Sequence, residues 1–156
     1  MPATTTIPTL TIAAAKAATT ACEAKAAELG VPMNIAVVDS STHLLSFTRM
    51  DGAKLTSVNI AIDKAFTAAG HRLPTSAYKD VVWPGGAAYG INGTNGGRFN
   101  VIGGGLPVKG LGDEVLGAVG CSTGTPAQDE TVARAGVEAV EKLVQEEGRG
   151  QLKAKL

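Results

Sequence analysis

The chain has 156 residues, which suits one domain and lets folding bury roughly 70% of the surface an unfolded chain exposes. Fourteen Lys+Arg offset fourteen Asp+Glu, so no long-range field gathers a polyanion, and nucleic acid drops out as an expected partner. Charged residues make up only 18% while hydrophobic ones reach 44%; such a neutral, bland surface favours self-association, and a homo-oligomer is expected.

The opening MPATTTIPTL has neither a charged n-region nor an apolar h-region, and no run of 18 apolar residues follows. A cytoplasmic protein without a membrane partner is expected. Thr11 can cap a helix reaching about Leu29, where Gly30 and then Pro32 supply the stop. Met33 to Asp39 and Leu44 to Met50 read as strands split by a polar turn at 40–43, a hairpin in which Leu45, Phe47 and Arg49 share one face. Val58, Ile62, Ala65 and Ala69 recur at helical spacing, giving a helix over 57–69 that Gly70 closes. Pro74 and Thr75 open a shorter helical piece to about Val82.

Residues 84–98, PGGAAYGINGTNGGR, have neither helical nor strand period and predict an ordered, ligand-lining loop. Asn92-Gly93-Thr94 within it is a glycosylation sequon, idle without a secretory signal. Arg98 to Ile102 and Leu106 to Lys109 flank three glycines and read as a second hairpin; Glu114 to Cys121 follows as a fifth strand. Pro107 demands an edge position. Thr125-Pro126-Ala127-Gln128 is a capping box opening a helix to about Glu147, with Gly148 as its end and 148–156 as a loose tail. The fold class expected is α/β (α+β): one compact domain over 1–156, its ordered core at about 10–147, built as a five-stranded antiparallel sheet flanked by helices.

Several residues carry possible chemistry. Gly120-Cys121-Ser122-Thr123-Gly124 matches G-x-S-x-G, but no histidine follows the serine and a hydrolase triad is not expected. The same turn leads into a capped helix, so Cys121, Ser122 and Thr123 can offer backbone N–H groups to an anion. Asp129 in the first turn of that helix either caps it or serves as a base. Arg49, on an apolar-sided face, needs a carboxylate from a ligand or from Asp39 across the hairpin. Lys64 either snorkels to solvent or enters a cleft. His71 is the best general-base or haem-ligand candidate, and Tyr78, Trp83 and Tyr89 border the glycine-rich loop in a way that suits a planar ligand. His43 and His71 lack metal-ligand spacing, so no metal is expected, and Cys22 and Cys121 read as packed, reduced thiols.

An ordered set of short runs then carries a resemblance. Ile35-Ala36-Val37-Val38-Asp39, His43-Leu44-Leu45, Arg49-Met50-Asp51-Gly52-Ala53, Ile60 to Ala65, Asn95-Gly96-Gly97, Gly104-Gly105-Leu106-Pro107 and Gly117 to Gly120, followed by Ser122, Gly124-Thr125-Pro126 and Gln128-Asp129-Glu130, resemble the GlcG/HbpS-like family, also called haem-degrading. The resemblance implies an antiparallel sheet flanked by helices, an oligomer, and a shared cleft around Arg49, Lys64, Gly105, Ser122 and Asp129. The family's functions are diverse, and fold alone does not select among them.

Two readings of function follow. In the first, a cofactor-independent isomerase, lyase or hydrolase acts on a small carboxylate- or enolate-bearing substrate. Arg49 and Lys64 hold the anion, the 121–125 turn stabilises developing charge, and His71, Asp129 or Lys64 moves the proton. In the second, the chain binds haem or another tetrapyrrole, whose propionates meet the same cations while the aromatic-lined glycine-rich loop, Tyr89 included, covers the ring.

Overall fold

The computed structural model describes residues 1–154. Helix α1 (Ile12–Leu29) starts where the Thr11 side chain accepts from the Ala14 N–H and stops at Gly30, whose φ of 67° only glycine adopts freely. Strands β1 (Asn34–Asp39) and β2 (Leu44–Arg49) form the expected hairpin. Helix α2 spans Ser57–His71. It ends two residues beyond the expected stop because Arg72, not Gly70, takes the left-handed conformation. Strands β3 (Gly105–Lys109) and β4 (Val115–Ser122) pair as a hairpin, in place of the one expected between 98–102 and 106–109, and α3 (Pro126–Lys153) closes the chain with the expected capping box.

The sheet has four strands, all antiparallel, in the order β2-β1-β4-β3. The fifth strand expected at Arg98 to Ile102 does not exist. Phe99 turns inward, and donors that a strand would use are taken by side chains: the Asn100 N–H donates to Thr67 Oγ1 on α2 and the Ile102 N–H to the Asn100 side-chain oxygen. Pro107 does lie on an edge strand. The piece expected over 75–82 shrinks to one 3-10 turn, Thr75–Tyr78. Gly148 does not end α3, which continues to Lys153; the Leu111 side chain, at the tip of the β3–β4 hairpin, sits where a side chain of residue 148 would stand. The last two residues of the expected tail, 155 and 156, lie outside the described residues.

One face of the sheet packs on α1 and α3, the other on α2. Ile35, Val37, Leu106, Val108, Val119 and Cys121 belong to the first cluster with Ala18, Cys22, Val132 and Val140. Ala36, Val38 and Ala118 belong to the second with Ala61, Ala65 and Ala68. This alternation is the period of two expected of a sheet buried on both sides. A bulge between Val37 and Val38 breaks the expected shared face on β2: Leu45 packs with the α1/α3 cluster, while Phe47 packs against α2.

Candidate functional site

At the end of the sheet where β4 runs into α3, two charged side chains are buried together. Lys64 is 1% exposed and Asp129 2%. Lys64 Nζ donates to Asp129 Oδ2 at 2.8 Å and to the Cys121 carbonyl at 3.0 Å, and the Gly124 N–H donates to Asp129 Oδ1 at 2.9 Å. Every one of these contacts is charge-assisted. Burial pushes the Asp129 carboxyl above its usual value of 3.8, and the Lys64 ammonium and the Gly124 N–H only partly oppose that shift.

The pair fits because two neighbours lack bulk. A Cβ on Gly104, which stands at φ 125°, would lie 2.7 Å from Asp129 Cβ and 2.8 Å from Lys64 Nζ. At Gly105 it would collide with the Lys64 carbonyl, and the Gly105 N–H donates to the buried Thr75 hydroxyl at 2.9 Å. Gly105 therefore seats the Lys64 turn of α2 against β3.

In the turn that sequence suggests as an anion site, the Cys121, Gly124, Thr125 and Gln128 N–H groups serve the protein itself. Gly124 serves Asp129, the Thr125 N–H donates to Gln128 Oε1, and the Gln128 N–H to Thr125 Oγ1. Ser122 is buried. Thr123, at an unusual φ of 146°, accepts from Asn34 Nδ2 and the Lys54 N–H. The Cys121 side chain faces the α1/α3 cluster, where burial and the neighbouring Cys22 push its thiol well up, so it stays protonated.

The remaining expected residues lie apart. Arg49 is exposed at the end of the edge strand β2, in register with Asn34. Asp39 is not its partner: at the opposite end of the hairpin, its Oδ1 accepts from the N–H groups of Ser41 and His43. His71 is exposed, with its ring edge-on to Tyr78 and Phe99 at centroid distances of 5.3 and 5.1 Å. Tyr89 is 66% exposed in the glycine-rich loop. The structure thus joins Lys64, Asp129, Gly105 and the 121–124 turn, while no hydrogen bond or ion pair among the described residues links the side chains of Arg49, His71 or Tyr89 to them. No group of three His, Cys, Asp or Glu among the described residues could hold a metal ion.

On the outer side of the same glycines lies the cavity that sequence reading missed. An open groove of about 990 Å³ runs between the Thr75–Tyr78 turn, residues 101–103 and the first turns of α3. Pro74, Ala77, Val82, Ile102, Pro126 and Ala127 give it apolar walls, and Trp83 forms one end, its indole N–H donating to the Lys79 carbonyl at 2.9 Å. Lys79, Glu130 and Arg134 are its charged members. Ala127, Glu130, Thr131 and Arg134 recur at helical spacing, which is the one signal of a common face. Their mixed polarity hides it from any hydropathy pattern.

A family model described as haem degrading protein HbpS-like matches residues 10–138. An uncharacterised 15.0 kDa protein from the dhaT-dhaS intergenic region of Citrobacter freundii is 44% identical over 137 residues, covering 88% of this chain and 96% of that one. The crystal structure of ORFY from Klebsiella pneumoniae superposes with a TM-score of 0.87 at 36% identity, covering 90% of this chain and 96% of that one. A crystal structure of PduOC in complex with heme gives a TM-score of 0.80 at 30% identity over 84% of this chain and 94% of that one. No helix among the described residues is long and apolar enough to cross a membrane.

Proposed function

This chain belongs to the HbpS-like family, and we propose that its groove binds a flat, largely apolar ligand with an acidic edge, of the tetrapyrrole type. The observation that carries this reading is the groove itself: apolar walls, one pinned indole, and two cations, Lys79 and Arg134, in about 990 Å³. That volume is at the upper end of the roughly 300–1,000 Å³ usual for small-molecule sites, as a large planar ligand requires. The heme complex of the PduOC relative supports the same ligand class.

The lining residues fit a tetrapyrrole's face and carboxylates, but none is His, Cys, Met or Tyr, the usual axial ligands of haem iron. A haem held here would supply its iron's redox chemistry, while the chain itself grips the ring and its propionates. Trp83 and the prolines exclude water from one face; Lys79 and Arg134 orient the acidic edge. Haemin added to the purified protein is expected to give a saturable Soret shift at one per chain, and iron-free protoporphyrin IX to bind within a few-fold of it. Trp83→Ala weakens both by about ten-fold, the loss of an aromatic contact worth about 1.4 kcal/mol. A featureless titration with both compounds overturns the reading.

The acid–base alternative needs His71 or Arg49 beside the Lys64–Asp129 pair, and no hydrogen bond or ion pair among the described residues links them. Two free, buried thiols suit a reducing compartment, in keeping with a cytoplasmic location. A homo-oligomer remains part of the proposal, through the loop considered below.

A further inference from the structure

Within the groove one charge works against the ligand proposed for it. Glu130 Oε1 lies 3.3 Å from Arg134 Nη2, one turn further along α3, with side-chain exposures of 26% and 54%. Its other oxygen points to the groove floor, 3.5 Å from where a Cβ on Gly103 would stand, beside Pro126 Cβ at 3.5 Å and Ser76 Cβ at 3.4 Å. Gly103 is thus the point at which the Ser76 turn and α3 converge, and the Glu130 carboxylate lies beside it among the apolar walls of the groove. A half-exposed i,i+4 pair is weak, so a better-placed carboxylate displaces it readily.

Resting on the groove reading above, we infer that Glu130 is a specificity-determining residue, a built-in carboxylate that occupies Arg134 until a ligand carboxylate takes its place. The exchange keeps the arginine's positive charge compensated in both states. Uncharged ligands gain nothing from it, and ligands with several acidic groups meet the displaced Glu130 as a repulsive neighbour. With Lys79 and Arg134 positive and Glu130 negative, the groove carries one net positive charge. It therefore favours an acidic edge that engages Arg134 without crowding the floor at Gly103.

Haemin and haemin dimethyl ester, whose propionates are capped, separate this inference from the reading it rests on. In the wild-type chain both bind, haemin more tightly. In Glu130→Gln the ratio of haemin to ester affinity rises about five-fold, the size of one exposed charge pair. In the Arg134→Met background the same Glu130→Gln change leaves the ratio within two-fold. A ratio unaltered by Glu130→Gln, or a rise that persists without Arg134, overturns the inference while leaving the groove reading intact. Failure of the wild type to bind either compound overturns both. Circular dichroism and the urea midpoint of each variant establish that the fold is retained.

Discussion

Burying Lys64 and Asp129 takes two charges out of water, and only their mutual contact with the Cys121 carbonyl and the Gly124 N–H compensates. Removing one partner strands the other. Lys64→Met is expected to cost about 3–5 kcal/mol in urea unfolding, whereas Lys64→Met combined with Asp129→Leu costs clearly less than the sum of the two single changes. The acid side has a pH signature. Because the folded-state carboxyl titrates above 3.8, the folded state holds its proton more tightly than the unfolded chain does. The stability this confers is complete below pH 3.8 and is lost as pH rises through the raised value. Asp129→Asn flattens that decline, and urea midpoints on either side of the window measure it. Both residues were recognisable as candidates in the sequence. Their pairing was not, since they lie 65 positions apart on helices packed against opposite faces of the sheet, and periodicity describes one element at a time.

At the scale of elements, close approach depends on missing side chains. Gly120 on β4 faces α2: a Cβ there would collide with the Ala61 carbonyl and stand 2.5 Å from the Ala65 nitrogen. Gly120→Ala must push the helix outward, at a cost of about 1–3 kcal/mol in thermal or urea unfolding. Three helices and the first hairpin were legible because caps, glycine stops and alternation agree at those places; β3 and β4 were legible as strands, but not as each other's hairpin partner. The fifth strand was not: Phe99 and Asn100 have strand-like neighbours, yet Thr67 and Asn100 side chains capture the backbone donors first. Similarly, the bulge at Val37/Val38 leaves no mark in the β2 sequence but decides which face Leu45 meets.

For the whole molecule, the most unusual surface is the stretch 84–97. It contains no charged residue, none of its residues is buried, and it holds its shape by its own turns, with the Ala88, Tyr89, Ile91, Gly93, Thr94 and Gly97 N–H groups all bonded to nearby carbonyls. An uncharged, internally braced loop with Trp83 and Tyr89 standing out at 68% and 66% supports self-association at this surface. Tyr89→Glu is expected to shift sedimentation velocity profiles to a smaller species; an unchanged profile overturns self-association at this surface. The groove, by contrast, could not be read from sequence, because its walls come from three segments whose residues are individually ordinary.

The two margins of the sheet add a consequence of their own. On one side runs β3, only five residues long, with Pro107 at its centre unable to donate. On the other runs β2, bent by the bulge and carrying the exposed Arg49. Neither margin offers the long, flat row of free donors and acceptors that recruits a further strand. Copies of this chain, though they have no net charge to hold them apart, can therefore meet at high concentration without zipping together strand by strand into fibres.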